Sequence, residues 1–290
     1  MAAPAAPASA RPSASAAHDL KTLVLSRHPA IVVESPEEER IDALARAVAA
    51  DLRLPLYEWT VTRGLLPVGA TTVATAGIYG SEDPLKGLAD MAGISFDALF
   101  LLKDLGPHVA TPLASRRLRE LATRFAAPGR LSTLLLTGAR VELPPELEAA
   151  MVRFDLPVPA PEEYRRAIVV LAEQLATNGR EQVSLAPAAF DGLAGAASGL
   201  TLNQARQAVA HAALEDGRLD GDDLAGVVEL KARRLAEDGL LELFPPADNP
   251  SELGGFERLK AWLERARVGY GAEARAIGLE PPRGLLLVGV

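Results

Sequence analysis

Short apolar runs alternate with amphipathic stretches over the first 160 residues of the chain. Four of these runs carry apolar side chains without polar alternation, at residues 30–34, 54–61, 98–102 and 132–139. Such runs are typical of strands that are buried on both faces. Helical patterns separate them, and a last short strand is predicted near residue 152. The β-α-β-α-β order predicts a parallel sheet with helices on both faces.

The segment after the first strand predicts a helix with an acidic start. Pro36 suits the first helical position, and three glutamates follow it in the first turn. Residues 62–81 are polar and glycine-rich and are interpreted as a loop. Asp83 is predicted to cap the helix that follows it.

The pattern changes after Pro161, where amphipathic helices follow one another without intervening strands. Thr201 and Gln204 have the spacing of a capping box, and Glu229 lies four residues before Arg233. We predict an α/β domain over residues 19–160 and a small all-helical domain over residues 161–243. A proline-containing linker is expected over residues 244–250, and a new module over residues 251–290.

Composition narrows the function classes. The 290 residues carry a net charge of −8 and contain no cysteine, which excludes disulfides and thiolate catalysis and favours a reducing compartment. The acidic balance argues against nucleic acid as a partner. Residues 1–18, rich in Ala, Pro and Ser, are expected to form a disordered tail. We expect a cytoplasmic protein without a membrane segment and without a metal site.

Residues at the ends of the predicted strands are the candidates for binding phosphate or Mg²⁺. The first strand leads into Pro36 and the glutamates at positions 37–39 rather than into glycines and a lysine. We expect these carboxylates to repel ATP and to serve as a helix start. The 98–102 strand ends in Lys103 and Asp104. A lysine cannot hold Mg²⁺, so this strand end lacks the acid expected there in a P-loop ATPase. The two side chains are expected to pair with each other.

Two further patterns carry weaker signals. Four arginines, Arg116, Arg117, Arg119 and Arg124, are interpreted as a solvated helix face, with a role as an arginine finger left open. The stretch at residues 269–274 matches G-x-G-x-x-A, but it follows a helix instead of a strand. The match is therefore interpreted as accidental.

The final forty residues resemble the start of an AAA ATPase module. The resemblance rests on Ser-Glu-Leu-Gly-Gly-Phe at residues 251–256, Pro-Pro-Arg-Gly at residues 281–284 and Leu-Leu-Leu-Val-Gly-Val at the end. It implies that Leu253 and Gly254 lie against the adenine of ATP. It also implies that residues 285–288 form the strand entering the P-loop, with Gly289 as the first P-loop glycine. The P-loop lysine would follow Val290.

Over its whole length the chain resembles the N-terminal part of an uncharacterised AAA ATPase group of cyanobacteria, plastids and other bacteria. The resemblance implies a degenerate, P-loop-like AAA domain, then a helical lid, then an active module. For the complete protein it implies ATP and Mg²⁺ as cofactors, a protein partner and a ring-shaped homo-oligomer. For this chain it implies no ATPase activity, because the P-loop lysine is absent. The alternative is a stand-alone, catalytically dead interaction module.

Overall fold

The computed structural model describes residues 14–69, 77–178, 182–183, 187–221, 223–237, 255–282 and 284–286. The chain divides into two compact units, residues 1–233 and 234–290. The first unit contains a six-stranded sheet in the order β3-β2-β4-β5-β1-β6. Its strands are β1 (Ala30–Glu34), β2 (Leu56–Thr60), β3 (Gly64–Val68), β4 (Leu99–Lys103), β5 (Thr133–Gly138) and β6 (Val152–Arg153).

Five of the six strands run parallel, as the sequence predicts. Helix α1 (Ala14–Leu25) precedes the first strand. The helices between the strands are α2 (Glu38–Leu52), α3 (Pro84–Gly93), α4 (Pro112–Phe125) and the short α5 (Pro145–Glu148), with a 3-10 turn at Gly106–Val109. Successive strand residues serve opposite faces of the sheet. Val32 packs on the side of α3 and α4, and its neighbours Ile31 and Val33 pack on the side of α1 and α2. The strands are therefore buried on both faces, which explains why their apolar runs show no polar alternation.

Strand β3 is antiparallel to β2 and lies at the edge of the sheet, inside the segment that the sequence predicts to be a loop. That prediction is wrong for Gly64–Val68. The edge is closed by the following segment, because Ile78 N–H donates to Leu65 O at 3.0 Å and Ser81 Oγ accepts from Leu65 N–H at 2.8 Å. Pro67 has no amide to donate, which also protects the edge from pairing with another chain.

The second part of this unit is helical. It contains α6 (Pro161–Asn178), α7 (Pro187–Ala197), α8 (Leu202–Asp216) and most of α9 (Asp223–Glu237), with a two-residue parallel pair, β7 (Gln182–Val183) and β8 (Arg218–Leu219). The capping box at Thr201 and Gln204 is confirmed, with both reciprocal hydrogen bonds present. Buried alanines and leucines of α6, α7 and α8 form a separate core. The helical prediction holds except for the small β7–β8 pair.

Several predicted boundaries need correction. The tail predicted to be disordered, residues 1–18, is too long. Helix α1 begins at Ala14, and Ala16 is buried in the core of the α/β part. Helix α2 begins at Glu38 instead of Pro36. Asp83 caps α3 as predicted, since its side chain accepts from Lys86 N–H at 2.9 Å.

In the second unit the structure describes two helices, α10 (Glu257–Val268) and α11 (Ala272–Ala276). Large apolar side chains of this unit are exposed, among them Val268, Tyr270 and Ile277. Leu285 and Leu286 are exposed and do not form a strand. The rest of the predicted terminal strand lies outside the described residues.

Candidate functional site

The candidate site lies at the carboxyl edge of the sheet, around the end of β1. From β1 the chain crosses toward the β3 edge of the sheet to form β2, whereas from β5 it crosses toward the opposite edge to form β6. In open parallel sheets, ligands bind at the carboxyl edge where the direction of the connections reverses. The sheet topology therefore selects the β1–α2 connection as the place to look for a bound phosphate.

Two backbone amides of the β1–α2 connection are bonded within the chain, and a third position has none. Ser35 N–H donates to Gly138 O at 2.9 Å, and Glu37 N–H donates to Ser35 Oγ at 3.1 Å. Pro36 between them has no amide hydrogen. A phosphate loop requires several amide groups that point at the ligand. Residues 35–37 therefore offer no free amide to such a ligand.

Arg40, in the first turn of α2, is buried and links the two parts of the unit. Its Nε donates to Glu163 Oε2 at 3.0 Å and its Nη2 to Glu163 Oε1 at 3.3 Å, a two-pronged pair. Its Nη1 donates to Glu37 Oε2 at 2.9 Å and to Pro157 O at 2.6 Å. Glu163, on α6, is fully buried and also accepts from Ala160 N–H at 3.1 Å. Both buried charges are thus hydrogen-bonded as well as paired, as burial requires.

Two more contacts join α2 to α8. Glu37 Oε1 accepts from Leu202 N–H, at the first residue of α8, at 2.8 Å. Glu39 Oε2 pairs with Arg206 Nη2 at 2.8 Å. The amino end of a helix favours negative charge, so the Glu37 carboxylate takes a position in which a bound anion would be stabilised. We call Glu37, Glu39, Arg40, Glu163 and Arg206 the interdomain clasp.

Lys103, at the end of β4, is the centre of a second charged group. Its Nζ lies 2.8 Å from Glu38 Oε1, 2.9 Å from Asp42 Oδ2 and 3.3 Å from Glu58 Oε2. Glu58 also pairs with Arg63. Glu38 is exposed, whereas Lys103 and Glu58 are buried. We call Lys103 and these three carboxylates the Lys103 cluster.

The environment of the Lys103 cluster shifts two of its titratable groups. Burial lowers the pKa of Lys103, but its hydrogen bonds to Glu38 and Asp42 and the nearby negative charges outweigh burial, so that its pKa is raised. Burial raises the pKa of Asp42 by more than Lys103 lowers it. Asp42 Oδ1 is buried without a hydrogen-bond partner among the described residues. The ammonium thus remains charged at neutral pH.

The predicted pairing of Lys103 with Asp104 is wrong. Asp104 adopts a left-handed backbone conformation, with φ of 53°, and its side chain is exposed beyond the strand. Lys103 instead turns toward α2 and β2. The acidic start of α2 lies where the sequence places it, but its partners on α6 and α8 were not predicted, since no local pattern marks them.

The other candidate residues are placed as follows. Arg116 and Arg124 are exposed on α4, and Arg116 pairs with Glu120 at 2.8 Å. Leu253, Gly254 and Gly289, the residues that resemblance assigns to ATP, lie outside the described residues. Among the residues that the structure describes, no acidic or histidine cluster is arranged to hold a metal ion. None of the described helices is both long enough and apolar enough to span a membrane.

A parallel α/β sheet followed by a small helical domain at its carboxyl edge defines an AAA-type architecture. The solved FIGL-1 AAA domain in complex with ADP shares this fold, with a TM-score of 0.53, 14% identity and coverage of 89% of each chain. Residues 16–156 match the SpoVK-like AAA ATPase N-terminal domain, and residues 163–238 match the second domain of the same family. The chain therefore belongs to the SpoVK-like AAA ATPases.

Longer curated relatives are similar to this chain in sequence. The uncharacterized AAA domain-containing protein ycf46 of Pyropia yezoensis is 24% identical over 275 residues, which cover 94% of this chain and 53% of the relative. The ycf46 protein of Guillardia theta is 26% identical, with 94% and 52% covered. The chain spans about half the length of the curated relatives it matches.

Proposed function

We propose that residues 16–238 are a non-catalytic region of an AAA ATPase that folds and remains closed without a nucleotide. The observation that carries this proposal is the interdomain clasp. At the β1–α2 connection that the topology selects for a phosphate, the Glu37 carboxylate binds the amino end of α8 and the Arg40 guanidinium.

Electrostatics support the same proposal. A nucleoside triphosphate placed at the β1–α2 connection would bring several negative charges close to Glu37, Glu38 and Glu39. Phosphoryl transfer needs cationic groups aimed at the transferred phosphate. The two buried cations described at this edge, Arg40 and Lys103, are both committed to carboxylates. Neither is available without breaking a buried ion pair.

For the complete protein, we propose ATP hydrolysis that remodels a protein partner in a ring-shaped homo-oligomer. Family membership supports this activity, and the ADP in the FIGL-1 domain shows that a domain of this fold takes an adenine nucleotide. ATP and Mg²⁺ would bind a module beginning near residue 251, with Leu253 and Gly254 at the adenine and Gly289 in the P-loop. The alternative is a stand-alone interaction module of the same fold.

Nucleotide binding and turnover by the purified 290-residue chain test the non-catalytic part of the proposal. We expect no saturable binding of a fluorescent ATP analogue with Mg²⁺, and no ATP hydrolysis above the blank. A cooperative thermal transition of the same sample shows that the protein is folded. Saturable binding that is weakened by Lys103→Met or by Arg40→Lys would contradict the proposal, because both cations would then be serving the nucleotide.

The coding sequence beyond codon 290 separates the two forms of the proposal. Codons for three residues and then for Gly-Lys followed by Ser or Thr would complete the P-loop that begins at Gly289 and would favour the ATPase. The longer protein should then hydrolyse ATP and lose this activity when that lysine is replaced. A stop directly after codon 290, found in independent reads, would favour the stand-alone interaction module and overturn the ATPase form.

A further inference from the structure

We infer that the interdomain clasp is a lock that holds the helical part, residues 161–233, on the α/β part in one fixed orientation without any ligand between them. The lock rests on the proposed function and deepens it, because it assigns the closed state to named contacts that fix one orientation. It predicts that this unit behaves as one rigid body, with the carboxylates of α2 acting as built-in anions.

The geometry of the clasp specifies an orientation rather than a general attraction. Helix α2 holds two different helices at once, α6 through Glu163 and α8 through Leu202 N–H and Arg206. The Arg40 guanidinium is planar, and it makes four hydrogen bonds to four acceptor atoms on three residues, Glu37, Pro157 and Glu163. Rotation of the helical part would break several of these bonds together.

The two helices held by the clasp are also tied to each other. Tyr164 follows Glu163 on α6, and its buried hydroxyl donates to Leu200 O at 2.6 Å. The same hydroxyl oxygen accepts from Gly199 N–H at 3.1 Å. The amino ends of α6 and α8 therefore move together, so that contacts from α2 to either helix restrain both.

Burial makes this lock sensitive to the identity of its residues. Arg40 is 3% exposed and Glu163 is fully buried, so that each charge depends on its partner for stabilisation. A lysine at position 40 keeps the charge but cannot bond Glu163, Glu37 and Pro157 in the same plane. Loss of the Glu37 carboxylate removes the link to α8 and one of the partners of Arg40.

A distance measurement between the two parts tests the lock. The chain contains no cysteine, so a spin-label pair can be introduced without background at two exposed positions, Arg124→Cys on α4 and Glu173→Cys on α6. We expect a single narrow distance distribution in pulsed electron resonance, unchanged by Mg·ATP. Glu37→Ala and Arg40→Lys should each broaden it, and exchange of the Leu202 amide in Glu37→Ala should accelerate about tenfold or more.

Arg165→Met is the matched control, since it breaks an exposed pair with Asp191 that lies wholly within the helical part. The control should keep the wild-type width. A broad or two-peaked distribution in the wild type would overturn the lock, as would a wild-type width in both clasp variants when their circular dichroism shows that they are folded. If ATP binds and the distance distribution does not change, the proposed function is contradicted and the lock is not.

Discussion

Replacing Lys103 with methionine removes an ammonium group on which three carboxylates converge. The methionine keeps an unbranched chain of similar length, so packing along the stem is largely conserved. What is lost is the charge and the contacts from Nζ to Glu38, Asp42 and Glu58. The substitution therefore isolates the electrostatic role of the Lys103 cluster.

The loss of unfolding free energy depends on what happens to each of the three carboxylates. Glu38 is 65% exposed and can turn to water, so its contribution is small. Glu58 keeps its second partner, Arg63. Asp42 loses its cation while its Oδ1 already has no hydrogen-bond partner among the described residues. Breaking a fully buried pair costs about 3–5 kcal/mol, and we expect about 2–4 kcal/mol of unfolding free energy here.

Urea unfolding followed by the fluorescence of Trp59 measures this loss. Trp59 is fully buried beside β4, and replacing the only other tryptophan, Trp262, with phenylalanine makes Trp59 the sole reporter. The midpoint should fall while the slope stays unchanged. Lys86→Met, which breaks a partly exposed pair with Asp90, is the control and should change stability by less than about 0.5 kcal/mol.

The pH dependence of the same variant provides a second check. Without Lys103, which lowers the pKa of Asp42, the already raised pKa of this carboxyl rises further. A folded-state pKa above the unfolded value means that stability is lost as the pH rises through the folded pKa. The deficit of Lys103→Met should thus be smaller near pH 4.5 than near pH 7. An equal deficit at both pH values, or none at either, would refute the reasoning.

Two further predictions concern packing and helix capping. Gly87→Ala in α3 should destabilise by about 1–3 kcal/mol, because a Cβ would lie 2.5 Å from Nε1 of the buried Trp59. Gly93→Ala in the same helix has open space and should be neutral or stabilising, and similar thermal shifts for both would contradict the packing argument. Thr201→Ala should cost about 1 kcal/mol in urea unfolding through loss of the α8 cap, whereas Thr123→Ala, at an exposed position within α4, should cost less. The reverse order would count against the capping box.

The parallel sheet was predictable from the sequence because its strands are buried on both faces and contain few polar side chains. The cap of α3 and the capping box of α8 were predictable because short spacings encode them. Strand β3 was not predictable, since Gly64 and Pro67 are typical loop residues, although all five residues of the strand pair with β2. Its outer edge is satisfied by the segment around Ser81, a contact made only in the folded chain.

The clasp and the Lys103 cluster show what local patterns leave out. The acidic start of α2 predicts that the β1–α2 connection does not bind a phosphate, and this stays a prediction. It did not indicate the partners, because Arg40 and Glu163 are 123 positions apart and Glu37 and Leu202 are 165 positions apart. Pairing Lys103 with its sequence neighbour failed for the same reason, since the ammonium is stabilised by side chains from α2 and β2.

Hydrogen exchange with and without Mg·ATP tests the central claim most directly, because it reports on the β1–α2 connection separately from the module that begins near residue 251. If carboxylates of α2 already fill the anion position, the amides of residues 33–40 and 200–206 in the 290-residue chain will exchange at the same rates with and without saturating Mg·ATP. Protection of both segments by the nucleotide would contradict the account.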